Sequence, residues 1–300
     1  MRRILVTGGS GFIGTHLVRL LRDRGMHVRI LDLAGTPSED VLDPIALGSA
    51  ITDADVVVHL AAKVSVPWCD AHPEESNRIN VGGTRAVIEA SLAQKRRPKV
   101  VFASSAAVYG GAGREGQAIL ESTPLPPPLS AYAAQKRESE EALRVAHAQH
   151  GLAALNLRFF NVYGEGQDPK SPYSGVITQF LDRIRAGKDL ELHGGGMATR
   201  DFVSVHDLVR GIVSAIELDP ARCQGQAVNL GTGHALTIRA LAEMLAELAR
   251  ERGMRVPKIS AVSERAGDVP HSCASVALAR ELLAYRPERD LRIELGRLLG

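Results

Sequence analysis

Tyr132-Ala-Ala-Gln-Lys136 sets a phenol and an ammonium four residues apart, and on a helix that spacing puts both on one face. A neighbouring positive charge lowers a phenol's pKa from about 10 towards neutrality, which makes it a usable general base. By spacing alone such a pair is usually an ordinary solvated one. It stands, however, one strand and one loop after the hydroxyls of Ser104 and Ser105, which follow the apolar run Lys99 to Ala103. A hydroxyl leaving the carboxyl end of a parallel strand is where such sheets bind ligands. A second group supplies a partner for this base. Gly8-x-x-Gly11-x-x-Gly14 follows the first apolar run and opens the first helical stretch, as a pyrophosphate-binding turn requires. Asp32 lies 18 residues beyond Gly14, where a carboxylate can accept from both ribose hydroxyls of an adenosine. No Lys or Arg follows it within Leu33-Ala34-Gly35-Thr36, so a 2′-phosphate would meet uncompensated negative charge. The pattern favours NAD over NADP.

The elements that must hold these groups alternate along the chain. Ile4 to Val6, His27 to Leu31, Asp55 to Leu60, Lys99 to Ala103 and Ala153 to Arg158 are nearly continuous in apolar character, as parallel strands covered on both faces are. Phe12 to Arg24, Glu74 to Gln94 and Ala131 to His150 have helical spacing between them. This rhythm predicts an α/β fold, a Rossmann-type doubly wound parallel sheet. Beyond about Gly164 the elements shorten and glycines cluster, which predicts a smaller, interleaved C-terminal α/β substrate domain. The expected division is 1–164 for the dinucleotide, with 206–235 returning to it, and 165–205 with 236–300 for the substrate. Pro124 to Pro128 reads as a stiff loop leading into the Ala131 helix, and Asp207 as the cap of the helix His206 to Leu218.

Composition narrows the class of function. The 36 basic residues nearly balance the 34 acidic ones, so neither nucleic acid nor an anionic membrane is expected as a partner. No run reaches the ~18 apolar residues of a spanning helix. Arg2 and Arg3 with Ile4 to Val6 superficially resemble a signal peptide, but Thr7-Gly-Gly-Ser-Gly11 breaks the run and a strand is the better reading. Cys69, Cys223 and Cys273 are odd in number and scattered, which suits a reducing cytoplasm and neither disulfides nor a clustered metal site. His147 and His150 share a helix face with no acidic or cysteine cluster beside them, so no metal is expected.

Thr7-Gly-Gly-Ser-Gly-Phe-Ile-Gly14, His59-Leu-Ala-Ala62, Asn80-Val-Gly-Gly-Thr84, Ser104-Ser-Ala-Ala-Val-Tyr-Gly110, Tyr132-x-x-x-Lys136, Arg158-Phe-Phe-Asn-Val-Tyr-Gly164 and Thr199-Arg-Asp-Phe-Val203 occur in one colinear series from Met1 to about Asp268. The series resembles the extended short-chain dehydrogenase/reductase family, and within it the NAD-dependent nucleotide-sugar epimerases of the UDP-glucose 4-epimerase type. The resemblance implies that Tyr132 is the base, that Lys136 tunes it and bonds the nicotinamide ribose, and that Ser105 hydrogen-bonds the sugar C4 oxygen. It places Gly8, Gly11, Phe12, Ile13 and Gly14 on the pyrophosphate, Asp32 on the ribose, Asp40 and Val41 on the adenine edge, and Leu60, Ala61 and Ala62 along the dinucleotide. Asn80 would shape the cofactor groove, with helix capping as the alternative. Asn161, Arg200 and Arg265 would hold the nucleotide diphosphate, and Asp268 the nucleoside. One departure stands out: only seven residues separate Asp32 from Asp40, so the second crossover must be shorter than in related chains.

The resemblance also bears on the reaction. Dehydratases of the family carry an Asp-Glu pair between the positions of Ser105 and Tyr109, and sugar-acid decarboxylases keep a Glu there, whereas this chain has Ala106 and Ala107. Alanine transfers no protons, which leaves reversible C4 oxidation as the expected chemistry. A net NAD(P)H-dependent keto-sugar reductase would share the same motifs, and a non-catalytic NAD-binding protein the same fold. A homodimer through the helices Glu74 to Gln94 and Ala131 to His150 is the further expectation from the family.

Overall fold

The computed structural model of the chain describes residues 2–168, 175–264 and 268–300. Its N-terminal half runs β1 (Arg3–Thr7), α1 (Phe12–Asp23), β2 (His27–Leu31), α2 (Pro44–Ile51), β3 (Val56–His59), α3 (Val66–Ala71), α4 (Pro73–Leu92), β4 (Lys99–Ser105), α5 (Ala131–His150) and β5 (Ala154–Phe159). It continues through β6 (Asn161–Tyr163), α6 (Val176–Arg185), β7 (Leu190–His193), β8 (Thr199–Ser204), α7 (Val205–Glu217), β9 (Gln224–Leu230), β10 (Ala235–Thr237), α8 (Ile238–Glu251), β11 (Ile259–Val262), α9 (Ala277–Leu283) and α10 (Leu291–Leu299). Among the described residues, no helix is long and apolar enough to cross a membrane.

Six strands form a parallel sheet in the order β2-β1-β3-β4-β5-β9. β1 and β3 carry mostly Val, Ile and Leu, and β4 and β5 are largely buried along their length, because helices cover both faces. On one face Leu17 and Leu21 of α1 meet Val209, Ile212 and Ile216 of α7. On the other, Leu47 and Ile51 of α2, Val87 of α4 and Leu143 of α5 close the second core. The expected doubly wound α/β sheet is therefore present, with β9 as its far edge strand.

The short Asp32-to-Asp40 connection has a visible consequence. From β2 at one edge the chain passes through the eight-residue α2 and enters β3 on the far side of β1. The winding direction thus reverses between β1 and β3, and a crevice opens at the carboxyl ends of those strands. The remaining strands form two small sheets, β10-β8-β6 and β11-β7, around a third core of α6, α8 and α10. Asp207 does not cap α7 as expected. Ser204 is the N-cap and accepts from the His206 N–H, while the buried Asp207 accepts from the N–H groups of Glu288 and Arg289 and pairs with Arg210.

Candidate active site

The turn after β1 is built around a missing side chain. A Cβ on Gly8, whose φ is +73°, would stand 2.6 Å from the Ala61 N, and one on Gly14 would stand 2.3 Å from the Gly8 carbonyl oxygen. Only glycine lets the turn close on itself and on the segment leaving β3. Helix α1 begins with Gly11 as N-cap and no side chain bonded to its first N–H groups, so the helix end faces the crevice with donors to spare. Asp32 closes the other side: its Oδ2 accepts from the Ser10 N–H at 2.8 Å and its Oδ1 from the Ala34 N–H at 2.9 Å. It therefore holds the glycine turn as well as standing where a ribose would lie. A glycine cradle, free helical N–H groups and a carboxylate at the end of β2 together fit a dinucleotide.

Across the crevice, Ser130 caps α5 by accepting from the Ala133 N–H, and the Ala131 N–H donates to Asp70 at 2.7 Å. These bonds fix the first turn, which carries Tyr132. Lys136 follows one turn later and its Nζ donates to the Ala103 carbonyl at 2.7 Å. The same Nζ lies 4.6 Å from the Phe102 ring centroid and 5.7 Å from that of Tyr132. Ser105 leaves β4 as the cap of the turn that follows, accepting from the Ala107 N–H, and lines the same cleft as Tyr132.

The electrostatics correct the expectation of a softened phenol. Burial pushes the Tyr132 phenol up to about 12, with the Ser105 hydroxyl acting in the opposite direction. Burial also lowers the pKa of Lys136, to about 8, with Glu140 acting in the opposite direction. His59, beneath the pair, is held neutral by burial and by Lys136, its pKa lowered to about 3.

Behind the pair lies a charged layer that pairwise spacing did not reveal. Glu140, four residues past Lys136, accepts from Arg158 Nε at 2.9 Å and Nη2 at 2.7 Å, and from the Ser104 hydroxyl. Arg158 also donates to Tyr109, which donates to Asn229 at 2.6 Å. This buried fork ties α5 to β4 and β5, fixing the height of Tyr132 and Lys136 over the sheet. The stripe 132, 136, 140 on α5 was the available signal for Glu140. Gln135 was also overlooked: it accepts from Asn80 at 2.7 Å and donates to Ser76 at 2.7 Å.

A cleft of about 840 Å³ brings together Gly8, Gly11, Phe12, Ile13, Gly14, Asp32, Asp40, Val41, Leu60, Ala61, Ala62, Ser105, Tyr132, Lys136 and Asn161. Asn80 does not line it. It sits within α4, accepts from the Lys63 N–H and donates to the Lys63 carbonyl, and so shapes the wall from behind without capping a helix. Arg200 turns to the Val269 carbonyl and to Asp268, so these two lie outside the cleft lining as a mutual ion pair. Arg265 lies outside the described residues.

Residues 4–231 match the profile of the NAD-dependent epimerase/dehydratase family. The chain belongs to that family. NAD is accordingly its cofactor. Among its relatives, a UDP-glucose 4-epimerase of Azospirillum brasilense is 32% identical over 96% of this chain and 88% of its own length. A UDP-N-acetyl-alpha-D-glucosaminuronate decarboxylase of Bacillus cytotoxicus is 29% identical over 95% of this chain and 93% of its own. The crystal structure of UDP-glucose 4-epimerase from Thermotoga maritima with UDP-glucose superposes with a TM-score of 0.89 at 28% identity, over 99% of this chain and 97% of that one. This member of the family thus shares its fold with a UDP-glucose 4-epimerase, and its sequence is similar to both an epimerase and a decarboxylase.

Proposed function

We propose that the protein inverts C4 of a nucleoside-diphosphate sugar of the UDP-glucose/galactose type through a transient 4-keto sugar. Gly8, Gly11, Phe12, Ile13, Gly14 and Asp32 would hold the dinucleotide, with Asp40 and Val41 at its adenine end and Leu60 to Ala62 along its length. NAD, when bound, supplies a hydride acceptor and, in its oxidised form, a positive ring charge. Tyr132 takes the C4 hydroxyl proton, Ser105 holds the C4 oxygen and Lys136 supports the phenolate from beneath. A phenol raised by burial needs added positive charge before it can act as a base at neutral pH, so proton removal would wait for the loaded site. Asn161 faces the cleft, and Arg200, Arg265 and Asp268 are assigned to the nucleotide end of the substrate.

The observation that carries this reading is the pair Ala106 and Ala107, which open the turn between Ser105 and Tyr109 beside an intact Tyr132, Lys136 and Ser105. Dehydration needs a further acid and base there, and the family resemblance puts a Glu there in sugar-acid decarboxylases; neither alanine supplies such a group. The decarboxylase relative makes this the point on which the reading rests. In the same reading the chain acts as a homodimer through α4 and α5, and divides into a dinucleotide part, 1–164 with 206–235, and a sugar-nucleotide part, 165–205 with 236–300.

Epimerisation returns the hydride it removes, and a protein that released its reduced cofactor in mid-cycle would strand a keto sugar. The purified protein, denatured and its supernatant assayed, should release NAD(H), and turnover should consume none. Recovery of NADP, or one cofactor consumed per product, would establish the keto-sugar reductase instead.

A further inference from the structure

Three side chains distant in sequence meet outside the cleft, near the start of α1, near the start of α7 and just after β6. His16 Nε2 lies 3.0 Å from the backbone oxygen of Glu165. A carbonyl oxygen only accepts, so Nε2 carries the hydrogen and the neutral ring keeps its lone pair on Nδ1. The other ring nitrogen, Nδ1, lies 3.9 Å from the Glu165 Oε1, too long for a hydrogen bond. His206 Nε2 lies 2.8 Å from the same oxygen, a hydrogen bond that a bound ion would replace, and all three ligand atoms lie within 4.8 Å of one another.

We propose that His16, Glu165 and His206 bind one divalent transition-metal ion of the zinc class, with water as the fourth ligand. Bond lengths of about 2.1 Å in a tetrahedral site put donor atoms about 3.4 Å apart, so binding would move His206 out from its 2.8 Å contact and His16 in from 3.9 Å. Two imidazoles and a single carboxylate suit zinc and its neighbours in the transition series better than Mg²⁺ or Ca²⁺, which take oxygen ligands. The bond from His16 Nε2 to a carbonyl is the outer contact that fixes the tautomer of a metal-binding histidine. Half-exposure of the Glu165 side chain, at 55%, leaves the ion a way in.

The ion would staple the loop after β6 to α1 and α7. Both neighbours of this staple reach the cleft: the His16 ring stands edge-on to Phe12 at 5.7 Å, and Gln167, two residues past Glu165, is part of the cleft lining. The metal's role is therefore to hold the loop, and none of its ligands touches the reacting atoms.

The test uses the full chain, freed of metal with a chelator and dialysed, then titrated calorimetrically with Zn²⁺ alone and, for spectroscopy, with Co²⁺ alone. The expected result is one equivalent of zinc per chain, a raised melting temperature on binding, and the intense visible absorption of four-coordinate cobalt. Glu165→Gln and His206→Gln should each weaken zinc more than about tenfold while leaving the metal-free melting temperature unchanged. His147→Gln, which alters a histidine elsewhere on the surface, should bind as the native chain does. Failure to saturate at one equivalent, or an unchanged titration in both Glu165→Gln and His206→Gln, would overturn the assignment.

Discussion

Burial of Tyr132 raises its phenol to about 12, so the buried hydroxyl is a proton acceptor only when positive charge is brought against it. Replacing it with Phe removes the acceptor and almost no contact surface. Tyr132→Phe should lower turnover about 10²–10⁴-fold with nucleotide-sugar affinity, measured by calorimetry on the NAD-loaded protein, essentially unchanged; near-native turnover would show that another group is the base. Lys136 offers a test that needs no substrate. Its pKa is about 8 in the fold against an ordinary 10.5, so the unfolded chain binds more protons than the native one between those values. Stability from this site is fully present above about 10.5 and is lost as pH falls through about 8. The melting temperature of the native chain should therefore rise relative to that of Lys136→Met as pH is raised from neutrality across this window. A constant difference would mean that the ammonium is solvated.

The glycine turn shows how an element acts as one unit. A methyl group on Gly14 would meet the backbone of Gly8 and Gly9 at 2.3 to 2.7 Å, whereas one on Gly11 meets only the Gly8 oxygen at 3.4 Å. Without NAD, Gly14→Ala should cost about 1–3 kcal/mol in chemical denaturation. Gly11→Ala, at an N-cap with φ of −73°, should cost less than about 1 kcal/mol. Equal losses would mean that the turn is not closed as described. This turn was legible in the sequence because its glycines lie within eight residues. The strands of the main sheet were equally legible, since burial on both faces leaves continuous apolar runs such as Val56-Val57-Val58. Helix α2 was not: Pro-Ile-Ala-Leu-Gly-Ser-Ala-Ile has no polar face to set a period, and Asp43-Pro44, a cap followed by a proline at the first helical position, was its one signal. The Glu140–Arg158 fork and the His16–Glu165–His206 cluster each join residues from separate elements, which no local spacing encodes.

At the scale of the molecule, the reversal of winding between β1 and β3 puts the glycine turn, the end of β4 and the start of α5 around one cleft, with Asn161 and Phe202 of β6 and β8 on its other wall. In the proposed reading, the choice among the reactions of the family falls to Ala106 and Ala107. A panel of nucleotide sugars incubated with the protein, followed by proton NMR and mass spectrometry, decides it. The account predicts a C4 epimer of unchanged mass, with the same final mixture reached from either sugar. A product lighter by water or by carbon dioxide would contradict it.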